Sequence, residues 1–537
     1  MNNKYIYLSP ILSLFLMFFP LSIGVVQADT DENLWYENAV WYQIFPDRFY
    51  RIDTGEDKVI TDIYDVDGDP VYIELTSWDN DKPTLNSKYG GNFKGIMEKI
   101  PYLKSLGINA VWLNPVFAST SSHRYNTSDY AKIDPLLGTE EEFKELINKL
   151  HENGIKIILD GVFNHTGYEF WAFQDIIKNG EASKYKDWYN VKSYPVIKIW
   201  EQSEDFPPNY ECWWGLGGLP KINFKCPEVK EYIYDITKKW MDLGIDGWRL
   251  DVADEINDDE FWIKWCALVK KCNPDALIVG EIWGDASPWL NEGNKFDTVM
   301  NYYGFRAPVL KFFCSERISV SEFDKILKAR RNLYDHKANY AMLNIMESHD
   351  TARISSSVYN KDHVDQAKNS ADYYNGAVDK EAYKKLKPVY LFQFTYVGNP
   401  VIYYGGEIGM YGGTDPHCRK PFIWDKASQN TELLEWIKKL ASIRKENPAL
   451  RTGTFATLLC DDGNKVYSYM RETEDDKNII AINYSPDAAE VNIPLQDKLL
   501  NGEIIDLVSG EKVNIKNQVL TLKLDPYSGI ILKSGGK

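Results

Sequence analysis

Cysteine is scarce, with seven in 537 residues, and the odd count leaves at least one thiol free and excludes a disulfide-stapled scaffold. Cys212 and Cys226 lie close enough in sequence to pair, as do Cys266 and Cys272, although the latter two fall on a stretch that reads as helix. No spacing among the seven matches a metal-ligand set. Basic charge is short as well. The 61 Lys and Arg face 78 Asp and Glu, a net charge of −17. That argues against a nucleic-acid partner, because binding phosphate needs a basic footprint. Long apolar runs are absent apart from one at the N-terminus, so no other segment is expected to span a membrane.

That one run is informative. Lys4 precedes apolar sequence from about Ile6 to Val26, followed by Gln27-Ala28 and the polar Asp29-Thr30-Asp31. A positive start, an apolar centre and a small-residue exit read as a secretory signal over residues 1–28, cut after Ala28. The protein is therefore expected to be secreted, with no stable membrane insertion once the signal is removed. An uncleaved anchor is the alternative, and Pro10 and Pro20 weigh against it. No cysteine follows the run to carry a lipid.

What the chain has in excess is aromatic surface, 14% of residues with 17 Trp and 35 Tyr. Flat apolar rings serve cores and interfaces, and they also serve sugar-binding clefts. The length calls for two or three domains.

One local pattern recurs: a helical stretch, a glycine, an isoleucine, then a strand-like run. It occurs at Leu106-Gly107-Ile108, Asn153-Gly154-Ile155 and Leu243-Gly244-Ile245. The glycine sits where a helix C-cap belongs. Thr139 with Glu142 predicts a capping box, and the helix then places Phe143, Leu146, Ile147 and Leu150 on one face. The helix before Gly244 repeats this with Val229, Tyr232, Ile233, Ile236 and Trp240. Eight strands are predicted, at 39–46, 109–116, 156–163, 245–252, 276–282, 297–302, 341–347 and 400–405. Eight strand–helix units predict a (β/α)8 TIM barrel over residues 35–165 and 223–451. Gly154 to Gly244 is about twice as long as Gly107 to Gly154, so an inserted subdomain is placed after strand 3, at 166–222. It is rich in Trp, Tyr, Pro and Gly and lacks helical periodicity. From 452 to 537 short alternating strands such as "KVYSYMR", "NIIAINY" and "VLTLKL" predict a C-terminal antiparallel β-sandwich.

Strand C-terminal ends build the active-site face of such barrels. Strand 3 ends with Asp160 and then Asn164-His165, strand 4 with Arg249 and Asp251, strand 5 with Glu281, and strand 7 with His349-Asp350. Buried charges cost several kcal/mol each in desolvation, so their convergence on one rim is poorly explained by stability. Glycoside hydrolysis needs such a set: an ionised carboxylate as nucleophile and a carboxylic acid to protonate the leaving oxygen. Arg249, two residues from Asp251 on the same strand face, supplies the cation that keeps the first ionised. Trp248, Leu250 and Val252 are assigned to the opposite face. Glu281, beside Val279, Gly280 and Ile282, suits the acid.

With "DGVFNH" (160–165), "GWRLDVADE" (247–255), "EIW" (281–283) and "SHD" (348–350) in this order, the chain resembles the α-amylase family of retaining α-glucan hydrolases and transglycosidases. The resemblance implies Asp251 as nucleophile, Glu281 as general acid/base and Asp350 as the carboxylate that binds and distorts the sugar. It implies Arg249, His165 and His349 as hydrogen-bonding to that sugar or orienting the carboxylates, Asp160 as a structural aspartate at the rim, and Tyr125 in "HRYNTSDY" as stacking on the ring. Asp415 and Arg419, in "GGTDPHCRKPFIWD", would contact the next glucose unit. Asp254 and Glu255 receive no catalytic task.

Within the family, "LPKIN" (219–223), "AVWYQIFPDRF" (39–49) and the stretch after Glu281 resemble neopullulanases, cyclomaltodextrinases and maltogenic amylases. Those enzymes carry an extra N-terminal β-domain that supports a dimer, whereas here the barrel begins at Trp41. The expectation is a secreted monomer with an open cleft, acting on starch, pullulan or maltodextrins. A glucanotransferase and a non-catalytic sugar-binding protein are the rivals, the latter opposed by the presence of all three carboxylates. The usual family calcium site lacks its histidine in "DVADEI". The neopullulanase-like calcium site would here involve Asp53, Asp57 and Asn92 of the Gly90-Gly91-Asn92 turn, since oxygen-rich loops suit calcium. No organic cofactor is implied.

Overall fold

The computed structural model describes residues 34–52, 58–64, 70–361, 380–495, 503–515 and 518–534. The signal reading (1–28) lies outside them. Eight parallel strands form the central sheet: β1 (Trp41–Ile44), β2 (Ala110–Leu113), β3 (Lys156–Gly161), β4 (Gly247–Leu250), β5 (Leu277–Gly280), β6 (Thr298–Val299), β7 (Leu343–Asn344) and β8 (Asn399–Tyr403). Neighbours run β6-β5-β4-β3-β2-β1-β8-β7, and a parallel bridge from Met300 to Leu343 joins the two ends. Each predicted strand overlaps one of these. The sheet is a (β/α)8 barrel.

Strand side chains alternate between faces, and here both faces are buried. Tyr42, Ile44, Val111, Leu113, Trp248, Leu250 and Ile278 pack outward in one apolar core with the surrounding helices. The alternate positions, Gln43, Trp112, Asp160 and Arg249, are buried as well. In register, Gln43 lies opposite Trp112, and Asp160 opposite Arg249. The helices follow the sequence pattern. Thr139 and Glu142 close a capping box on Glu140–Glu152, which buries Phe143, Leu146, Ile147 and Leu150. Gly107, Gly154 and Gly244 take φ of 78°, 70° and 109°, values at which a Cβ would clash with the backbone.

Three sequence expectations are corrected. β4 stops at Leu250, and Val252 adopts a left-handed conformation (φ 37°, ψ 47°), so it is not the last outward residue of a strand. A hairpin, Lys58–Tyr64 with Pro70–Glu74, also follows β1. The inserted segment contains a nine-residue helix, Trp171–Asn179, seated by Ala172, Phe173 and Ile176, besides short turns. A single helix face three residues wide falls below what periodicity can register. All seven cysteines are free thiols. Cys266 and Cys272 lie six residues apart on one helix, Asp259–Cys272, and so project from different faces.

After the barrel, Thr454–Asp461, Val466–Glu472, Lys477–Asn483, Ser528–Ser534, Glu503–Asp506 and Lys512–Asn514 form an antiparallel sheet, in that spatial order. A two-stranded sheet, Ala489–Pro494 with Val519–Leu524, accompanies it. Val466, Met470, Ile479 and Ala481 pack with Val491, Ile493, Leu520 and Leu522, which is a β-sandwich core. The opposite face, with Tyr467, Tyr469, Ile480 and Ile482, joins the main core instead. That explains why Val466–Glu472 is buried along nearly its whole length.

Candidate active site

The C-terminal ends of β3, β4 and β5 deliver three carboxylates to one guanidinium. Arg249 Nη1 lies 2.8 Å from Asp160 Oδ1 and 2.9 Å from Asp251 Oδ1, and Nη2 lies 2.8 Å from Glu281 Oε2. Arg249 and Asp251 thus reach the same space, although Asp251 stands just beyond the strand. Asp160 Oδ2 also accepts from Tyr125 Oη at 2.8 Å and from Trp112 Nε1 at 3.2 Å. Tyr125 is carried by the turn between Phe117–Ser119 and Thr127–Ile133, an antiparallel pair after β2. Glu281 Oε2 accepts from the Val252 backbone N–H at 2.9 Å and Oε1 from Trp283 Nε1 at 3.2 Å. Its surroundings are therefore more polar than its apolar sequence neighbours suggest.

A second cation serves the other side. Arg419 lies 3.3 Å from Asp350 and 2.8 Å from Asp415, and it donates to the His349 carbonyl at 2.7 Å. Gln43 Nε2 bridges Asn114 Oδ1 at 3.0 Å and His349 Nδ1 at 2.9 Å. Burial, with Arg419 and Arg249 nearby, holds the His349 imidazole well below its usual range, so the ring is neutral. With Nδ1 accepting from Gln43, its hydrogen is on Nε2, 3.1 Å from Asp350 Oδ2. Tyr125 and His349 stack with centroids 5.0 Å apart.

Burial pushes Asp251 well up, against the pull of Arg249 and with help from Glu281 and Asp160. It pushes Asp160 up to about 6 and Asp350 up to about 7. Desolvation is the main cause, and neighbouring carboxylates add to it. Asp160 and Asp251 lean on Arg249, and Asp350 and Asp415 on Arg419, so protons are retained by these neighbours together rather than by one residue. A site that holds both an ionised carboxylate and a carboxylic acid near neutral pH is equipped for glycosyl transfer.

His165 is set differently from the rest. Its Nδ1 meets Asn164 Nδ2 at 3.2 Å, and its ring stacks on Trp213 at 5.4 Å; no ion pair joins it to a carboxylate among the described residues. Trp213 stacks in turn on Trp214, which is 79% exposed. Glu255 ties this stack to the barrel, accepting from Trp213 Nε1 at 3.1 Å and pairing with Lys221 at 3.0 Å. Sequence reasoning gave Glu255 no task, because its partners come from a subdomain whose fold the sequence does not spell out. Trp283 was also missed, although it stands in "EIW" itself. Its ring is 48% exposed and stacks on Tyr302 at 3.8 Å.

Of the residues expected to hold calcium, Asp53 and Asp57 lie outside the described residues. Asn92 caps the helix Phe93–Glu98, its Oδ1 accepting from Gly95 N–H at 2.8 Å, and its Nδ2 donates to the Ile52 carbonyl. A Cβ on Gly91 would lie 2.1 Å from the Pro46 carbonyl oxygen, so close packing alone explains a glycine there. Among the described residues no three His, Cys, Asp or Glu are grouped to hold a metal. The cap bond uses one of the two lone pairs of Asn92 Oδ1, so a calcium held there with Asp53 and Asp57 stays a proposal.

The α-amylase catalytic domain matches residues 43–430. The chain belongs to the α-amylase family. It is a glycoside hydrolase. The maltogenic amylase C-terminal domain matches residues 455–531. Neopullulanase 2 of Thermoactinomyces vulgaris is 40% identical over 93% of this chain and 78% of its own length. A cyclomaltodextrinase of Geobacillus thermopakistaniensis (strain MAS1) is 39% identical over 93% and 77%. Among solved structures, Ttha1563 from Thermus thermophilus superposes with a TM-score of 0.81 at 36% identity, covering 93% of this chain and all of that one. These matches bear out the neopullulanase-like resemblance. No helix among the described residues of this α-amylase-family chain is long and apolar enough to cross a membrane.

Proposed function

We propose that the enzyme cleaves α-1,4-glucosidic bonds in starch, maltodextrin or pullulan with retention of anomeric configuration. The observation that carries this reading is the sharing of Arg249 by Asp251 and Glu281. Asp251 attacks the anomeric carbon while Glu281 gives its proton to the glycosidic oxygen, so the C1–O bond breaks as the C1–Oδ bond forms. The departing sugar leaves as an alcohol. Glu281, now a carboxylate, takes a proton from water, whose oxygen displaces Asp251 from C1 and restores the α-configuration. Arg249 follows the negative charge as it moves between its two neighbours, at no cost in reorganisation. Asp350, held by Arg419 and the neutral His349, is positioned to hydrogen-bond the hydroxyls of the reacting sugar, and Tyr125 offers its ring face.

Proton NMR of the first products from a maltooligosaccharide tests this: α-anomer first is expected, and β-anomer first would sink the mechanism. Asp251→Asn and Glu281→Gln are each expected to remove nearly all turnover with the fold intact. Product analysis on pullulan separates panose, maltotriose and no product, and with them the neopullulanase, pullulanase and plain α-amylase readings.

A second reading, transglycosylation or cyclomaltodextrinase action, has its own support. Trp283 hydrogen-bonds to Glu281. The acid faces the leaving sugar, so the half-exposed indole lies on the side where an acceptor sugar would sit and replace water. The product profile at high maltotriose distinguishes the two: chain lengths above three appear only if a sugar intercepts the intermediate. Export is proposed on the leader-like residues 1–28 alone, and N-terminal sequencing of protein recovered outside the cell tests it, with Asp29 expected first.

A further inference from the structure

A cleft of about 620 Å³ opens among Tyr50, Trp78, Tyr411, Lys420, Phe422 and Trp424, a volume within the ~300–1,000 Å³ usual for small-molecule sites. None of the carboxylates, histidines or arginines of the active site lines it. Arg419 and Lys420 are consecutive but part company. The first reaches Asp350 and Asp415, whereas the ammonium of the second lies 3.9 Å from the centre of the Tyr411 ring. The two side chains thus serve different partners.

The cleft has the parts of a ligand site. Lys420 is only 6% exposed, and no hydrogen bond or ion pair joins its Nζ to any described residue. Burial pulls its ammonium down to about 8, as expected for a cation left without a close counter-charge. The stem of Lys420 is buried while its ammonium, without a hydrogen-bonding partner among the described residues, reaches the cleft, so it can donate to an incoming oxygen atom. The aromatic walls are pinned by their polar edges. Trp78 Nε1 donates to the Phe422 carbonyl at 3.0 Å and Trp424 Nε1 to the Phe49 carbonyl at 2.7 Å. Their remaining free surface is apolar.

The lining also decides which oxygen. Asp79, Asp81 and Asp425 outnumber the two cations that line the same cleft, Lys420 and Arg51, so an anionic ligand is disfavoured. Carboxylates accept hydrogen bonds from hydroxyls, an ammonium donates to them, and flat rings take the apolar face of a pyranose. Acceptors, a donor and aromatic faces together select a neutral sugar. We propose that this cleft is a second, non-catalytic site that holds a neutral oligosaccharide, a run of the α-glucan chain away from the scissile bond. Naming the sugar an α-glucan rests on the function proposed above.

The test is affinity electrophoresis in gels containing soluble starch, with turnover silenced by Asp251→Asn, and with Lys420→Met, Tyr411→Ala or Trp78→Ala added. Retardation by starch is expected to weaken about fivefold or more in each, Lys420→Met being the variant least disturbing to packing. In the active background, kcat/KM on maltotriose is expected to stay within about twofold of the parent while the rate on soluble starch falls severalfold. Unchanged retardation in Lys420→Met and Tyr411→Ala would overturn the site. So would a parallel loss on maltotriose, which would make the cleft part of the active site. Should the parent fail to hydrolyse any α-glucan, yet be retarded by another neutral polysaccharide in a Lys420-dependent way, the sugar site stands and the proposed function falls.

Discussion

The indole nitrogen of Trp213 donates to Oε1 of Glu255 at 3.1 Å, joining the inserted subdomain to the loop that follows Asp251. The same tryptophan stacks on His165 and on exposed Trp214, so Glu255 fixes a ladder of rings that runs from the catalytic cluster towards solvent. The Lys221 partner is itself partly exposed and contributes little by comparison. One net hydrogen bond is worth about 1 kcal/mol, or about fivefold in an equilibrium constant. Glu255→Ala is therefore expected to raise KM about fivefold on substrates long enough to reach Trp214, and to spare maltotriose. Glu255→Gln, which keeps a carbonyl acceptor, is expected to behave close to the parent. Comparing kcat/KM on maltoheptaose and maltotriose checks both, and an unchanged ratio in Glu255→Ala would count against the ladder.

Arg249 offers a stronger test, because one side chain balances three buried carboxylates. Lysine is not equivalent: its single ammonium cannot present two separate nitrogens to Asp251 and Glu281 at once. Removing one partner of a buried charged cluster costs about 3–5 kcal/mol. Arg249→Lys is expected to lower kcat/KM at least a hundredfold and Arg249→Ala further, with a lower melting temperature in both. Thermal unfolding beside kinetics checks this, and near-parental turnover in Arg249→Ala would remove the cation from the reading of the site.

Much of this arrangement was legible in the sequence, and for one reason. Asp160, Arg249, Glu281 and Asp350 interrupt apolar runs that periodicity marks as barrel strands, and the barrel then fixes which ends converge. The glycines at 107, 154 and 244 marked helix ends because their positive φ favours glycine over residues with a Cβ. What stayed hidden depends on contacts between distant segments. The Gln43–His349 bond spans 306 positions, and neither residue carries a local signal for it. Val252 looked like strand because Val favours strands, yet the close of β4 into a 3-10 turn overrides that preference. Trp283 stood two residues from Glu281 in plain view, but its half-exposed position is a property of the fold rather than of the tripeptide.

Glu347 provides a stability test away from the chemistry. It is buried, with Oε2 accepting from Ile354 N–H and Oε1 without a hydrogen-bond partner. Arg353 stays 4.0 Å away, its Nε and Nη1 hydrogens directed to the Cys418 and Tyr404 carbonyls. Burial pushes the Glu347 carboxyl up from 4.5 to about 7. The folded state thus binds a proton more tightly than the unfolded one, and the stability this contributes is full below about 4.5 and is lost as pH rises through 7. Glu347→Gln keeps the acceptor and does not titrate. Its melting temperature relative to the parent is expected to climb from pH 5 to pH 8, as thermal scans at both ends would show; a difference independent of pH would mean the carboxyl is not held neutral.

Val252 stores strain at the site. A β-branched residue in the left-handed region is a marked outlier, and such conformations cost roughly 1–3 kcal/mol. Here the strained residue directs its N–H to Glu281 Oε2 at 2.9 Å, one position after Asp251. The strain is thus applied between Asp251 and Glu281, the proposed nucleophile and acid. Val252→Gly relieves it, but returns conformational freedom to the unfolded chain worth about 0.5–1 kcal/mol. Stability is expected to change by no more than about 1 kcal/mol, since the two effects oppose each other. Turnover responds differently, because glycine no longer forces the N–H towards Glu281. A fall in kcat of about tenfold with KM nearly constant is expected, measured beside a denaturant midpoint. Loss of stability with kcat intact would show that Val252 serves packing instead, and that the left-handed turn does not hold the acid in place.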